Sequence, residues 1–356
     1  MRQKSSSRYQ SSLKVVLLSA ALLGLAGCAT VAWYGQAARG QIEILAKRED
    51  IAEVIADPAT APELRERLGT VLEIRDFAAS AMGLPDSRSY TLYADLGRDA
   101  PLWNVVATPA YSVTPETWCY PLVGCLAYRG FFKRARAQEL AAEMSGDGFD
   151  VAVFPATAYS TLGWFADPVL DSMLDLDDAA LAELIFHELT HEMLYVSGDT
   201  AFSEAFATFV GRLGTEHWLS RQGDAETLRR WQDTQALDRQ LTQVLLDARE
   251  RLAQRFDEAS GPDQLAAAKQ REFARLKDEL RGLAERHDSW RIDAWLSREL
   301  NNAHLALIAT YESGVAAFEA LYREECGREL DCLFEHARRL AAADQRERAT
   351  FLASGH

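Results

Sequence analysis

The chain has 356 residues, of which 48% are apolar or aromatic and 26% charged, and its formal net charge is −15. That is enough apolar material for one large core, with or without a subdomain. The acidity excludes nucleic acid as a partner, because phosphate binding needs a basic face. No internal repeat and no low-complexity linker interrupts the chain.

Residues 1–15 carry Arg2, Lys4, Arg8 and Lys14 and no acid, and VVLLSAALLGLAGC follows directly. A basic start, a short apolar run and small residues predict a signal peptide over 1–27. The run is too short for a comfortable membrane span. Leu25-Ala26-Gly27-Cys28 resembles a bacterial lipobox, which implies cleavage before Cys28, lipidation of Cys28 and a lipid-anchored tether over 28–35. Ala29, where an acid would retain the chain at the inner membrane, favours the periplasmic face of the outer membrane as its place in the cell envelope. Cleavage would take away four of the 38 basic residues and none of the 53 acids, leaving 34 against 53 and a charge of −19. The membrane contact would therefore be made by the N-terminal lipid and not by electrostatic adhesion. With Cys28 set aside, four cysteines remain, and an exported chain can keep disulfides. The local pairings Cys119–Cys125 and Cys326–Cys332 are favoured, since each encloses a short segment with a turn signal, Pro121 and Gly124 in one and Gly327 in the other. A zinc site made of all four is the alternative.

Two helices are expected over 36–56 and 60–82, separated by Asp57-Pro58 and closed by Gly83-Leu84-Pro85. Residues 88–130 are rich in Tyr, Trp, Val and Thr, with Pro at 101, 109, 115 and 121, which predicts short strands with irregular connections. A helix over 132–144 follows, and then a strand over 151–165, with Pro155 tolerable only near an edge or bulge. An exposed strand edge can accept a peptide by main-chain hydrogen bonds.

Residues 177–211 hold His187-Glu188-Leu189-Thr190-His191 on a helix whose apolar side runs through Leu181, Leu184, Ile185, Leu189 and Met193. Residues four apart on a helix share a face one turn apart. Both imidazoles can therefore bind one metal ion, with Glu188 beside them as a general base. A catalytic zinc needs a third protein ligand and an open position. Gly198 suits the position just past the helix, and a second helix starting near Ala201 or Phe202 would aim Glu204 at the metal, with twelve residues between it and His191. Glu192 and Asp199 are the rival third ligands, and Asp199 can instead cap the second helix or orient a histidine.

Residues 223–295 predict a long antiparallel helical hairpin: Leu237, Leu241, Val244, Ala248 and Leu252 repeat at helical spacing, Ser260-Gly261-Pro262-Asp263 breaks the run, and Phe273, Leu276, Leu280 and Leu283 resume it. A helix over 296–322 and a final amphipathic helix over 323–345 complete the chain.

The stretch H-E-L-T-H, a short turn and S-E-A-F-A resembles the gluzincins, zinc peptidases with a glutamate on a second helix. TWCYPLVGCLAYRGFF (117–132), YSTLGWFADPVL (159–170) and LNNAHLALIATYESGV (300–315) are similar to a family of bacterial lipoproteins called predicted aminopeptidases. The resemblance implies zinc as cofactor, a peptide as substrate, His187, His191 and Glu204 as ligands and Glu188 as the catalytic base. By the distance of the cleft strand in gluzincins, Ser160, Thr161, Leu162 and Gly163 are expected to line the substrate cleft, with core packing of Leu162, Trp164 and Phe165 as the alternative. A donor facing the developing oxyanion is expected from Tyr311, or second from His304, on one face of helix 296–322. Asn301 and Asn302 would orient substrate or cap that helix. The expected fold class is α+β and predominantly helical: a zincin-like core over 36–222 with a small mixed sheet, the hairpin over 223–295, and C-terminal helices over 296–356 completing the core. Aminopeptidase activity rests on the resemblance alone, and an endopeptidase of the same fold or a non-catalytic envelope-assembly lipoprotein remains the alternative. The sequence leaves oligomeric state open.

Overall fold

The structure, a computed structural model, describes residues 33–120, 124–161 and 163–354. The expected signal peptide, the lipidation site Cys28 and the cleft residue Leu162 lie outside the described residues. The chain divides into two compact units, one ending at Lys47 and one starting at Arg48. In the first, residues 33–46 form a helix (α1).

The continuous helix expected over 36–56 is broken. Glu49–Asp50 is a short strand (β1), and the Asp50 side chain accepts a hydrogen bond from Ala52 N to start α2 (Ile51–Ala56). An aspartate at this point is worth more as a cap than inside a helix. α3 (Pro62–Ser80) opens on a proline, whose missing N–H costs nothing in a first turn. Its buried side is Leu68, Val71, Ile74, Phe77 and Ala78.

The segment 88–130 does hold short strands. Among the described residues three small sheets form: β1-β2-β8, β6-β3-β7 and β4-β5, from β2 (Leu92–Ala94), β3 (Trp103–Pro109), β4 (Trp118–Tyr120), β5 (Gly124–Leu126), β6 (Arg129–Phe131), β7 (Phe149–Pro155) and β8 (Val169–Leu170). α4 (Arg134–Gly146) joins β6 to β7. β7 ends at Pro155, ten residues earlier than the strand expected to Phe165. Pro155 faces Trp103 at a position that makes no ladder bond, so its missing N–H is tolerated, and Ala156 N still donates to Leu102 O at 2.8 Å. The chain beyond turns: Thr161 accepts from Phe165 N, and Asp167 gathers Thr161. Cys119 and Cys125 face each other across β4 and β5 and are disulfide-bonded, as are Cys326 and Cys332.

The helices carry most of the structure. α5 (Asp178–Met193) and α6 (Thr200–Gln222) pack together along their length, and α3 backs α5. α7 (Ala225–Glu258) and α8 (Pro262–Ala284) form the expected hairpin around Leu241, Leu245, Leu252, Leu276, Leu280 and Leu283. The single helix expected over 296–322 is instead α9 (Trp290–Leu296), α10 (Asn302–Glu312), α11 (Val315–Ala320) and one wide turn over Leu321–Glu325. Asn301 caps α10 by accepting from Ala303 N, and Gly314 breaks the helix after it with a left-handed backbone (φ 94°). The amphipathic helix expected over 323–345 is shorter, α12 (Leu330–Ala342), beginning after the wide turn, and a further helix, α13 (Gln345–Ala353), follows it. The fold is α+β and predominantly helical. Among the described residues, no helix is long and apolar enough to cross a membrane.

Candidate metal centre

α5 is capped by Asp177, which accepts from Ala180 N, and buries Leu181, Ala182, Ile185, Phe186 and Leu189 against the core. This leaves His187 and His191 together on another side. α5 ends at Met193, and Leu194 is already extended. Gly198 therefore lies in the turn before α6 (φ 81°), not at the end of α5 as expected. Asp199 caps α6, accepting from Phe202 N, and forms a buried ion pair with Arg348 of α13 at 2.6 Å. It is thus a cap and an anchor, and not a ligand.

The two helices approach closely because α6 presents glycines to α5. A methyl group at Gly211 would lie 2.9 Å from Glu183 O and 3.3 Å from His187 Cβ; one at Gly214 would lie 2.7 Å from the Phe186 ring. Both distances are shorter than carbon contacts allow, so any side chain there would push α6 away. At this spacing Glu204, just past the first turn of α6, reaches the histidines.

The Oε2 atom of Glu204 lies 3.2 Å from His187 Nε2 and 3.5 Å from His191 Nε2, and the two Nε2 atoms are 3.1 Å apart. These three atoms form one of the groups of donors that converge among the described residues. The other, Cys326, Cys332 and His336, has its two sulfurs tied in a disulfide. In the first group, Glu204 Oε2 is buried without a hydrogen bond of its own, although two nitrogens stand within 3.5 Å. Three lone-pair atoms thus face one point. Ligands about 2.0–2.1 Å from a tetrahedral zinc are separated by edges of roughly 3.3–3.4 Å, and the three observed separations bracket that value. The donor set and its geometry fit a metal ion.

The charges agree. Burial alone would raise the Glu204 carboxyl, but His191 and His187 outweigh it and hold the group far below the ordinary carboxylate range. Burial disfavours the imidazolium of His187, yet Glu204, joined by Glu188 and Glu183, outweighs burial and the net shift is upward. The Nδ1 of His191 is buried and has no hydrogen-bond partner, so packing orients this ring.

Around the triad stand residues of two kinds. Glu188 follows His187 on α5, and its carboxylate acts on His187, Tyr128 and Tyr311. The hydroxyls of Tyr128 and Tyr311 are hydrogen-bonded to each other, and both rings feel Glu204 and Glu188. Burial, reinforced by these groups, pushes the phenol of each well above its ordinary range. Tyr195 lies with its ring 6.0 Å from that of His191. Tyr311 is held in place by its neighbour: Glu312 receives two hydrogen bonds from Arg212 of α6, at 3.0 and 2.8 Å.

The expected cleft residues are near. Thr161 donates from N and Oγ1 to Asp167 at 2.7 Å each, and Ser160 Oγ lies 3.4 Å from the same carboxylate. Gly163 passes against the side chain of Glu192, the residue after His191. Trp164 and Phe165 are 68% and 46% exposed, so the alternative of core packing does not hold for them.

His304 is not brought to the triad. It opens α10, about 10 Å along the helix from Tyr311, with Nδ1 2.8 Å from Asn301 Oδ1 and its ring against Phe154 and Trp295. Asn301 caps α10 and donates to Val151 O, and Asn302 donates to Ala110 O and Ser112 O, so both asparagines fasten α10 to its neighbours. Burial, helped by Arg298, lowers the His304 pKa to about 4. Unfolded histidine titrates near 6.5, so the native state holds fewer protons between those values, and stability falls as the pH is lowered through the window. About 3 kcal/mol of stability is expected to be lost between pH 6.5 and pH 4 through this group. Urea titrations across that range check it: His304→Gln should flatten the slope, and an unchanged slope would contradict the assignment.

Tyr128, Tyr195, Tyr90 and Asp167 were not singled out by sequence reasoning. Tyr128 and Asp167 fall within two of the family-like stretches, which was the one available signal; Tyr90 takes an unusual left-handed backbone (φ 59°) that no local pattern announces.

No curated protein and no solved structure matches the chain. The model of a family described as "Putative aminopeptidase" matches residues 32–352, nearly the whole chain, and the chain belongs to that family of peptidases.

Proposed function

We propose that this protein is a zinc-dependent peptide hydrolase acting as an aminopeptidase, carried in the cell envelope on a lipid at Cys28. The observation that carries the reading is the convergence of His187 Nε2, His191 Nε2 and Glu204 Oε2, with the Glu188 carboxylate on the same helix. His187, His191 and Glu204 would hold the ion. The chemistry zinc supplies when bound is Lewis acidity, which activates water and polarises the scissile carbonyl.

The chain's own groups do the rest. Glu188 accepts the proton of the attacking water and later delivers it to the leaving amine. Tyr311 donates its hydroxyl proton in a hydrogen bond to the oxygen on which negative charge builds. Its raised pKa keeps that phenol protonated and therefore able to donate. Tyr128 orients it through the hydrogen bond between their hydroxyls. Ser160, Thr161 and Gly163 flank the substrate, with Trp164 and Phe165 offering apolar contact.

Treatment with a strong chelator is expected to abolish hydrolysis of short peptides, and stoichiometric zinc to restore it. Metal analysis of the purified protein should find zinc in step with activity. Full activity in the metal-free protein would reject the reading.

A further inference from the structure

Glu188 and Glu192 are four residues apart on α5, so their side chains form a row beside the row made by His187 and His191. Like charges at this spacing repel, and no cation relieves them: among the described residues neither Glu192 nor Asp167 has an ion-pair partner. Asp167 adds a third carboxylate from the loop after β7, and it feels both glutamates. Burial, then the two glutamates, raise its pKa to about 6 against the pull of Thr161. The hydroxyl of Tyr90 points into the same region. That ring is 1% exposed, its hydroxyl has no hydrogen-bond partner, and it senses Glu188, Asp167 and Glu192. A buried hydroxyl oxygen free to accept a hydrogen bond, beside three carboxylates that no ion pair among the described residues neutralises, marks a place prepared for a ligand with positive charge.

The two outer acids differ in access. Asp167 is 2% exposed and committed to Thr161 N, Thr161 Oγ1 and Ser160, so it shapes the loop. Glu192 is partly exposed, and Gly163 (φ 78°) passes beside it, where an added methyl would lie 3.4 Å from Glu192 Cγ. Space would admit that methyl; it is the left-handed backbone that favours glycine, and the turn it makes brings the loop against the carboxylate.

We infer that Glu192 captures the α-ammonium of the substrate and thereby restricts the enzyme to peptides with a free amino terminus. This rests on the hydrolase reading above. The geometry follows from the helix. Glu188 must serve the carbonyl carbon of the first residue, and the α-nitrogen is two bonds from that carbon. Glu192 stands one turn, about 5.4 Å, further along α5. An internal peptide bond would offer a neutral N–H at that point and would leave the acids uncompensated.

Trialanine amide and its N-acetylated form make the test. The zinc-loaded wild type is expected to cleave only the free-amine peptide. Glu192→Gln should raise KM for that peptide by about 10- to 100-fold, the worth of one charge-assisted hydrogen bond, with a much smaller change in kcat. Unchanged kcat/KM in this variant would overturn the inference, as would equal cleavage of both peptides by the wild type, which leaves the hydrolase reading intact. Hydrolysis of neither peptide would reject the hydrolase reading. Calorimetry then decides on Glu192 without turnover: on a Glu188→Gln background, adding Glu192→Gln should weaken binding of trialanine amide about 10-fold or more and leave the acetylated peptide unaffected. Equal affinities would overturn the assignment.

Discussion

Glu188→Gln is expected to lower kcat by about 10²- to 10⁴-fold, the range for loss of a positioned general base, while zinc content and the melting temperature stay at wild-type values. The amide keeps the shape of the carboxylate and can still hydrogen-bond water, but it cannot take the proton. Glu188 is not among the three converging ligand atoms, so the ion should be retained. The profile separates a base from a ligand. His191→Ala should lose zinc and activity together, whereas Glu188→Gln should lose activity alone. A Glu188→Gln protein that keeps more than a tenth of the wild-type rate would remove this residue from the mechanism. Zinc loss from it would show that Glu188 belongs to the ligand set.

Asp199→Ala should cost about 3–5 kcal/mol of stability, because it strands Arg348 in the interior. The pair is well buried, with side-chain exposures of 9% and 10%, and Arg348 also donates to Ala343 O. Asp199 in addition caps α6, and the first turn it holds leads straight into Glu204. Zinc affinity should therefore fall as well, although Asp199 touches no ligand. Asp224→Ala supplies the control. Asp224 caps α7 in the same manner, through Glu226 N and Thr227 N, but on the exposed surface and without a buried cation. Loss of that exposed cap should cost much less and leave zinc binding untouched. Urea unfolding at neutral pH, with and without zinc, reads both changes. Equal costs for the two variants would mean that the Asp199–Arg348 pair contributes nothing beyond capping.

Much of the centre was legible in residue spacing, because the geometry within a helix is local. Four-residue steps put His187 with His191 and, in the adjacent row, Glu188 with Glu192, whatever the rest of the chain does. The apolar rhythm of 237–283 announced the α7–α8 hairpin for the same reason. Helix ends were less legible. Asp50, Asn301 and Gly314 stop or start helices where the apolar pattern ran on, since a capping side chain or a left-handed backbone overrides hydrophobic period. The strand expected to run to Phe165 ended at Pro155, because the loop beyond it is drawn round Asp167 by contacts distant from any strand pattern.

The sequence by itself determined that two histidines and a candidate base share one helix, and that acids stood within reach of them. Only the tertiary structure decided which acid meets both rings. Glu192, Asp199 and Glu204 are all plausible by distance along the chain, but the extended exit at Leu194, the Asp199–Arg348 anchor and the bare faces of Gly211 and Gly214 bring α6 close enough for Glu204 alone to meet both rings. The same holds for Tyr128, Tyr90 and Asp167. They come from separate loops, and nothing local records that burial and long-range contacts gather them around one point.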